Sequence, residues 1–315
     1  MREFPRPRIL LSRCIEVEPC RYNGVKIDSP LIAALRPHVE MIPVCPEMEI
    51  GLGVPRDPLR LVASGGEIRL IQPATGRDLT EEMIRFTASF VDALDLLDGI
   101  VLKARSPSCG PRGVDIFPSV EAESAASRGR GIFSASLLKR FSDVALAEEG
   151  QLGDPAFSDH FLTRLFTLAD FRELRLHESG RNLLQFHAEN KYILTLYNQK
   201  EYHGLTDLVV NRNERSFDAV IREYRTRLYA MLSRRPSAKA HLSVFRRAAE
   251  HLIPHAERVE QEAIEETIER FGRGDLPLHE ARRRFMNWIE EFDEDYLAHQ
   301  TYFRPYPDAL AAVFT

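Results

Sequence analysis

The chain has 315 residues, of which 44% are hydrophobic and 28% charged, and its formal net charge is −5. That balance is ordinary for a soluble protein and excludes a globally basic nucleic-acid binder, so any nucleic-acid site has to be a local patch. The length exceeds one compact core and leads us to expect two domains, and no stretch approaches the roughly 20 apolar residues of a membrane span.

The opening stretch, MREFPRPRILLSRC, has no long apolar core and does not read as a signal peptide. We therefore expect a cytoplasmic protein whose thiols stay reduced. RILLSR (8–13) is a short strand-like run leading to Cys14. DSPLIAALRPH (28–38) predicts a short helix, with Asp28 or Ser29 as N-cap and Pro30 in its first turn. VEMIPV (39–44) is a second strand-like run and ends at Cys45. GGEIRLIQ (65–72) predicts a strand after a turn. DLTEEMIRFTASFVDALDLL (78–97) predicts a strong amphipathic helix, capped by Asp78 or Thr80. DGIVLK (98–103) is a strand again, followed by the turn SPSCG that carries Cys109. Strands alternating with helices predict an α/β domain with a mainly parallel sheet.

The polar stretch EEGQLGDPA (148–156) reads as a boundary. It divides the chain into an α/β domain over 1–150 and a second domain over 151–315. Beyond it come successive amphipathic segments with few strand signals: 158–174, 180–199, 216–235, 238–252, 257–274 and 277–292. An all-α bundle is expected there.

All four cysteines, Cys14, Cys20, Cys45 and Cys109, lie in the first third of the chain. Ligand sites of open parallel sheets form outside the C-terminal strand ends. Cys14, Cys45 and Cys109 each follow a strand-like run, so they can converge at one sheet edge, with Cys20 on the first loop. Zinc and an iron–sulfur cluster both suit several thiolates. The spacing is neither that of a zinc ribbon nor that of a ferredoxin. Scattered, buried, reduced cysteines are the plain alternative. Glu47, two residues after Cys45, is a candidate base or a turn cap. Ser106 and Ser108 are candidate positioning or proton-relay hydroxyls, or the oxygens of a structural turn. Arg21, Tyr22 and Arg56 are candidate phosphate or base contacts, or solvated surface.

In the second half, Arg215 and Arg222 are seven residues apart and share a face. Phe217, Val220, Tyr224, Leu228 and Met231 fall opposite. Arg212, Arg234, Arg235 and Lys239 extend the basic row, and His187 and Lys191 are four apart on an earlier segment. The later stretch ERVEQEAIEETIER is acidic, so charge is segregated within this half. Segregation favours a nucleic-acid footprint over a uniformly solvated face.

SRCIEVEPCRYNG, PVCPEMEIGLGVPR and LKARSPSCG resemble, in order, the motifs of the TudS-type thiouracil desulfidases, over about residues 8–145. In that family the first loop reads more like CLLGxxCRYDG, and here Ile15 to Pro19 differ. FHAENKYILTLYNQ, RRPSAKAHLSVF and the terminal YFRPYP resemble the helical domain fused to this module in two-domain desulfidases that act on 4-thiouridine in tRNA. The resemblance implies a [4Fe-4S] cluster on three cysteines with one iron open, C–S hydrolysis without net redox change, and tRNA as partner. The strand-end position favours Cys14, Cys45 and Cys109 as ligands. Cys20 is then a neighbouring thiol in the site or an alternative to Cys14. Free thiouracil or a thiolated nucleotide is the competing substrate, and a non-catalytic metal-stabilised RNA-binding protein or redox sensor is the competing class.

Overall fold

A computed structural model describes residues 2–174, 180–211 and 215–314. The chain forms two compact units, one of residues 6–161 and one of residues 1–5 with 162–315. The divide falls inside a helix and not in the polar stretch ahead of it. Residues Glu149–Gly153 form a 3-10 turn with a Glu148/Gln151 capping box, and helix α5 starts directly after it, at Pro155. Turn residues there start a helix and do not form a linker.

The first unit holds two sheets. In the first, β1 (Arg8–Ser12), β2 (Glu40–Val44), β6 (Gly99–Leu102) and β9 (Ala145–Glu148) run parallel in the order β2-β1-β6-β9. The second is mixed and has the order β5-β4-β3-β7-β8. It contains β3 (Arg60–Ser64), β4 (Glu67–Gln72), β5 (Arg77–Asp78), β7 (Val114–Phe117) and β8 (Ser127–Gly129). Its β3–β4 hairpin turns on Gly65 and Gly66, both at positive φ, which is what a two-residue hairpin loop requires. Helices α1 (Pro30–Leu35), α2 (Pro46–Glu49), α3 (Thr80–Ala93) and α4 (Ile132–Arg140) complete the unit. Ser29 is the N-cap residue of α1 and Pro30 sits in its first turn.

Strand β6 is buried along its whole length, as expected of a strand inside a parallel sheet. Leu10 of β1 and Ile100 and Leu102 of β6 share one core with Leu79 and Met83 near the start of α3 and with Phe133 and Leu137 of α4. The Thr80 hydroxyl accepts from the Leu70 amide at 2.9 Å, which ties the start of α3 to β4.

The second unit is helical: the part of α5 (Pro155–Leu174) from Leu162 on, α6 (Gly180–Glu189), α7 (Lys191–Val210), α8 (Phe217–Met231), α9 (Ala238–Leu252), α10 (Arg258–Arg273), α11 (Leu278–Glu291), and the short α12 (Asp295–Ala298) and α13 (Asp308–Ala311). The span 180–199, one helical segment by periodicity, is two helices that part at Asn190. Helix α7 breaks again at Asn198 (φ −163°), whose side chain accepts from the Glu201 amide at 3.1 Å like an internal cap. Ser216 and Ser237 cap α8 and α9 through their hydroxyls. Apolar faces of α7 to α11 supply one continuous core. Among the described residues no helix is long and apolar enough to cross a membrane.

Candidate active site

Strands β2, β1 and β6 are neighbours and parallel, so their carboxyl ends lie side by side. Cys45 follows β2 directly and is the N-cap residue of α2. Cys14 lies two residues beyond β1, and Cys109 sits on the turn after β6. Together with Cys20 from the first loop, they line one cavity of about 240 Å³. All four are buried and free. The Cys45 thiol approaches the Cys20 carbonyl at 3.8 Å.

The SPSCG turn is held from both sides. Ser106 Oγ accepts from the Cys109 amide at 3.0 Å and from the Ser108 amide at 3.3 Å. The Gly110 amide closes the turn onto the Ser106 carbonyl at 2.8 Å. Gly131, the N-cap residue of α4, packs so close that a Cβ there would lie 2.4 Å from the Ser108 carbonyl oxygen. Glycine is obligatory at that position.

Glu47 is on α2 and reaches the same cavity. Its Oε2 is gripped by Arg56, with Nε at 2.9 Å and Nη2 in closer contact. Its Oε1 accepts from Ser108 Oγ at 2.6 Å. Ser106 Oγ is 3.1 Å from Ser108 Oγ. Ser108 has a single hydroxyl proton and gives it to Glu47, so Ser106 is the donor in that pair. The result is a directed chain of hydrogen bonds from Ser106 through Ser108 to Glu47.

Arg56 is also spent on backbone: Nη1 donates to the Cys20 carbonyl at 3.1 Å and to the Gly53 carbonyl at 2.8 Å. Its side chain is 4% exposed. It clamps Glu47 to the cysteine loop, where the sequence suggested a phosphate or base contact. Arg21 and Tyr22 do line the cavity, and Tyr22 is exposed.

Two positioning groups carry no signal of their role in the sequence. Ser12, at the end of β1, accepts from the Lys103 amide at 3.0 Å and also hydrogen-bonds the Cys109 thiol. Glu149 accepts from the Ala104 amide at 2.6 Å and pairs with Lys103 Nζ at 2.7 Å. Ser12 opens the SRC motif and Glu149 lies in the polar stretch before α5, but their contacts to the cysteine turn become visible only through the β1–β6–β9 adjacency.

Neighbouring thiols act on one another's pKa. Hydrogen bonding with Cys14 is the largest cause that pushes Cys20 up to about 11, while hydrogen bonding with Cys45 lowers it, and hydrogen bonding with Cys20 is the largest cause that raises Cys45. Burial pushes Cys109 up to about 12. Crowded thiols resist ionising together until a cation stands among them. Among the described residues no three His, Cys, Asp or Glu side chains stand ready-arranged around an ion. The donor set is nevertheless soft and purely thiol, at strand ends facing one cavity, and it fits an iron–sulfur cluster in kind.

The residues expected on an RNA-binding face are distributed differently. His187 is 6% exposed. Its Nδ1 meets Tyr224 Oη and its Nε2 meets Thr206 Oγ1, both at 3.0 Å, and its ring stacks on Tyr202. It is core, because helical periodicity cannot tell which neighbour covers a polar side chain. Lys191 lies over the Tyr296 ring at 5.4 Å. Arg215, Arg222, Arg234, Arg235 and Lys239 are exposed, and Arg215 pairs with Glu223 at 2.7 Å. Arg212 lies outside the described residues.

Comparison with known proteins divides the chain in a similar way. Residues 9–149 match the model of the 2-thiouracil desulfurase family, and residues 191–307 match DUF1722, a family of unknown function. YbbK of Bacillus subtilis, an uncharacterised protein, is 34% identical over 110 residues, which cover 32% of this chain and 72% of YbbK. YbgA of Escherichia coli, also uncharacterised, is 26% identical over 156 residues, covering 49% of this chain and 92% of YbgA. A solved structure of a [4Fe-4S]-dependent thiouracil desulfidase, TudS, is 28% identical and covers 47% of this chain and 93% of its own, with a TM-score of 0.35.

Proposed function

The N-terminal part of this chain, residues 9–149, belongs to the 2-thiouracil desulfurase family, and from that premise we propose that the protein is an iron–sulfur-dependent desulfidase converting 4-thiouridine in tRNA to uridine. The observation that carries this reading is one cavity lined by four buried thiols and by Glu47 with its hydrogen-bonded serines. Cys14, Cys45 and Cys109 would hold the cluster, at the ends of three adjacent strands, with Cys20 beside them. When bound, such a cluster supplies a soft Lewis acid suited to a thiocarbonyl sulfur.

The chain's own residues supply the rest. Water has to replace sulfur on the ring carbon, and its proton needs an acceptor. Glu47 Oε2 is tied to Arg56, so Oε1 is the oxygen left to take a proton, and it already receives the Ser108 hydroxyl. Ser106 extends that path by one hydroxyl. Arg56 thus holds the Glu47 carboxylate in place with Oε1 aimed at Ser108. Sulfur leaves as sulfide and oxygen takes its place, without net change of oxidation state.

Exposed Arg222, Arg234, Arg235 and Lys239 of the helical unit support tRNA as the partner, as does the acidic composition of α10, which segregates charge within that unit. The four reduced thiols support a cytoplasmic location. A second reading, turnover of free thiolated nucleotides, is favoured by the cavity lying wholly within residues 6–161. The deciding experiment is anaerobic reconstitution with iron and sulfide, followed by assay of 4-thiouridine-containing tRNA and of 4-thiouridine monophosphate. Release of sulfide from tRNA with formation of uridine is the expected result. Turnover of the monophosphate alone would overturn the tRNA assignment, and turnover of neither would overturn the desulfidase reading.

A further inference from the structure

We propose that Tyr22 is a stacking platform for the nucleobase next to the reacting one in a polynucleotide substrate. The inference rests on the desulfidase reading above and deepens it by saying how the α/β unit itself distinguishes a polynucleotide from a mononucleotide.

The cavity measures about 240 Å³, below the roughly 300–1,000 Å³ usual for sites that engulf a drug-sized ligand. At that size it has room for one base at most. The neighbouring nucleotides of a longer strand have to lie outside, at the mouth. Tyr22 lines the cavity and is 42% exposed; among the described residues it is the one aromatic among the exposed large hydrophobic side chains. Val25 and Val54, in the same loop region, are exposed as well. Tyrosine with a large exposed face beside a cavity is unusual for a structural residue, since its ring normally stabilises a fold by burial.

The ring is held on a fixed backbone. The Gly24 amide closes a turn onto the Arg21 carbonyl at 2.9 Å, and Gly24 takes the positive φ (70°) that the turn needs. The Tyr22 carbonyl accepts from the Arg56 amide at 2.9 Å. Arg56 is in turn locked to Glu47 and to the Cys20 carbonyl. The platform is therefore tied by two hydrogen bonds to the carboxylate of the site. A ring on a fixed backbone has only its own two side-chain torsions to order on binding.

Charge at the mouth suits the same occupant. The Arg21 guanidinium lies 5.7 Å from the Tyr22 ring centre. Arg105 also lines the cavity, is exposed and sits in the left-handed region (φ 57°). An aromatic face with arginines beside it is the combination that binds single-stranded nucleic acid, bases on the ring and phosphates on the cations. It holds any base, so it adds affinity for a strand without adding sequence preference.

The test uses the full reconstituted chain as wild type, Tyr22→Ala and Tyr22→Phe. The substrates are 4-thiouridine monophosphate, a short RNA with one internal 4-thiouridine, and the same RNA with abasic neighbours. Tyr22→Ala should raise KM for the RNA roughly 5- to 150-fold, the range of one base–aromatic stack, and leave kcat unchanged. In Tyr22→Ala the monophosphate should lose far less than the RNA, and Tyr22→Phe should match wild type throughout. With wild type, abasic neighbours should reproduce the Tyr22→Ala defect. Equal losses on RNA and monophosphate, or no loss on either, would overturn the platform. Should wild type turn over no thiolated substrate, the desulfidase reading falls separately. The platform is then judged by equilibrium binding of the unthiolated short RNA, which must weaken in Tyr22→Ala and not in Tyr22→Phe.

Discussion

The Glu47 network of the α/β unit and the His187 network of the helical unit are built from similar parts and end differently. Each buries a titratable side chain and satisfies it with hydroxyl groups. Glu47 meets Ser108 and Arg56, and His187 meets Tyr224 and Thr206. The Glu47 chain opens on a cavity that also holds four thiols. The two ring nitrogens of His187 are both occupied, and its face is covered by Tyr202. A buried, hydrogen-bonded titratable group is thus no mark of function by itself. What separates the two is whether the chain of hydrogen bonds has an open end facing a space where a substrate can sit.

Removing a thiol from that space breaks the open network most completely. Cys45→Ala and Cys109→Ala should each abolish iron loading and turnover, measured as bound iron and visible absorption of the anaerobically reconstituted protein. Cys20→Ala is expected to keep most of its iron. Iron retained in Cys109→Ala would remove that thiol from the ligand set and transfer the role to Cys20. The next largest effect comes from the carboxylate. Glu47→Gln keeps the size and, with its one oxygen turned to Arg56, still accepts from the guanidinium, but its NH2 then faces Ser108 and it cannot take a proton at neutral pH. Iron content should stay normal while turnover falls roughly 10²- to 10⁴-fold. Turnover close to wild type would make Glu47 a purely structural partner of Arg56 and level the two networks.

Acid should sharpen the contrast from the other side. Burial lowers the His187 pKa from 6.5 to about 4. The unfolded chain therefore binds a proton between those values that the folded helical unit refuses. Stability associated with His187 is complete above pH 6.5 and is lost as the pH falls toward 4. The full loss is on the order of 3 kcal/mol. Urea unfolding of the full chain, followed by a probe in the helical unit, should show that slope, and His187→Gln should flatten it. A slope unchanged in the variant would mean that acid acts elsewhere.

How much of this could be read in the sequence depends on distance along the chain. Cys45 and Glu47 are two residues apart, and Ser106, Ser108 and Cys109 share one turn, so local motifs carried them. The parallel strands β1, β2 and β6 were legible because each is a short apolar run bounded by turn residues. The second sheet was mostly missed: β3 and β7 lie far apart in the chain, and β8 is three residues with no apolar pattern. Ser12 and Glu149 were invisible for the same reason, since only sheet adjacency brings them to the cysteine turn. His187 misled because periodicity gives the face of a helix and not the helix that covers it. Gly150, Gly153 and Pro155 read as a linker in sequence, and in the structure they lead into α5, inside which the two compact units divide.

The smallest expected effect compares two arginines within the proposed tRNA-binding face. Arg215 and Arg222 looked equivalent in sequence, seven residues apart with the same charge. In the structure Arg215 precedes α8 and pairs with Glu223 at 2.7 Å, while Arg222 is exposed on the helix itself. An exposed ion pair adds little stability, but it does neutralise the cation locally. Reversing Arg215 frees Glu223 as well as adding a negative charge, and reversing Arg222 removes a cation outright. Each phosphate that the protein no longer neutralises should reduce the salt slope of tRNA binding by roughly 0.7–0.9. Arg222→Glu should therefore weaken tRNA binding and make it less salt-dependent by about one phosphate. Arg215→Ala should change the slope much less, because its charge is already shared with Glu223. Both positions are exposed, so stability should stay within about 0.5 kcal/mol of wild type. The measurement is tRNA binding by each variant across a salt series, with desulfidation of 4-thiouridine monophosphate as the control. Equal slopes for Arg222→Glu and wild type would return this face to solvent, and tRNA would then have to be held by the α/β unit alone.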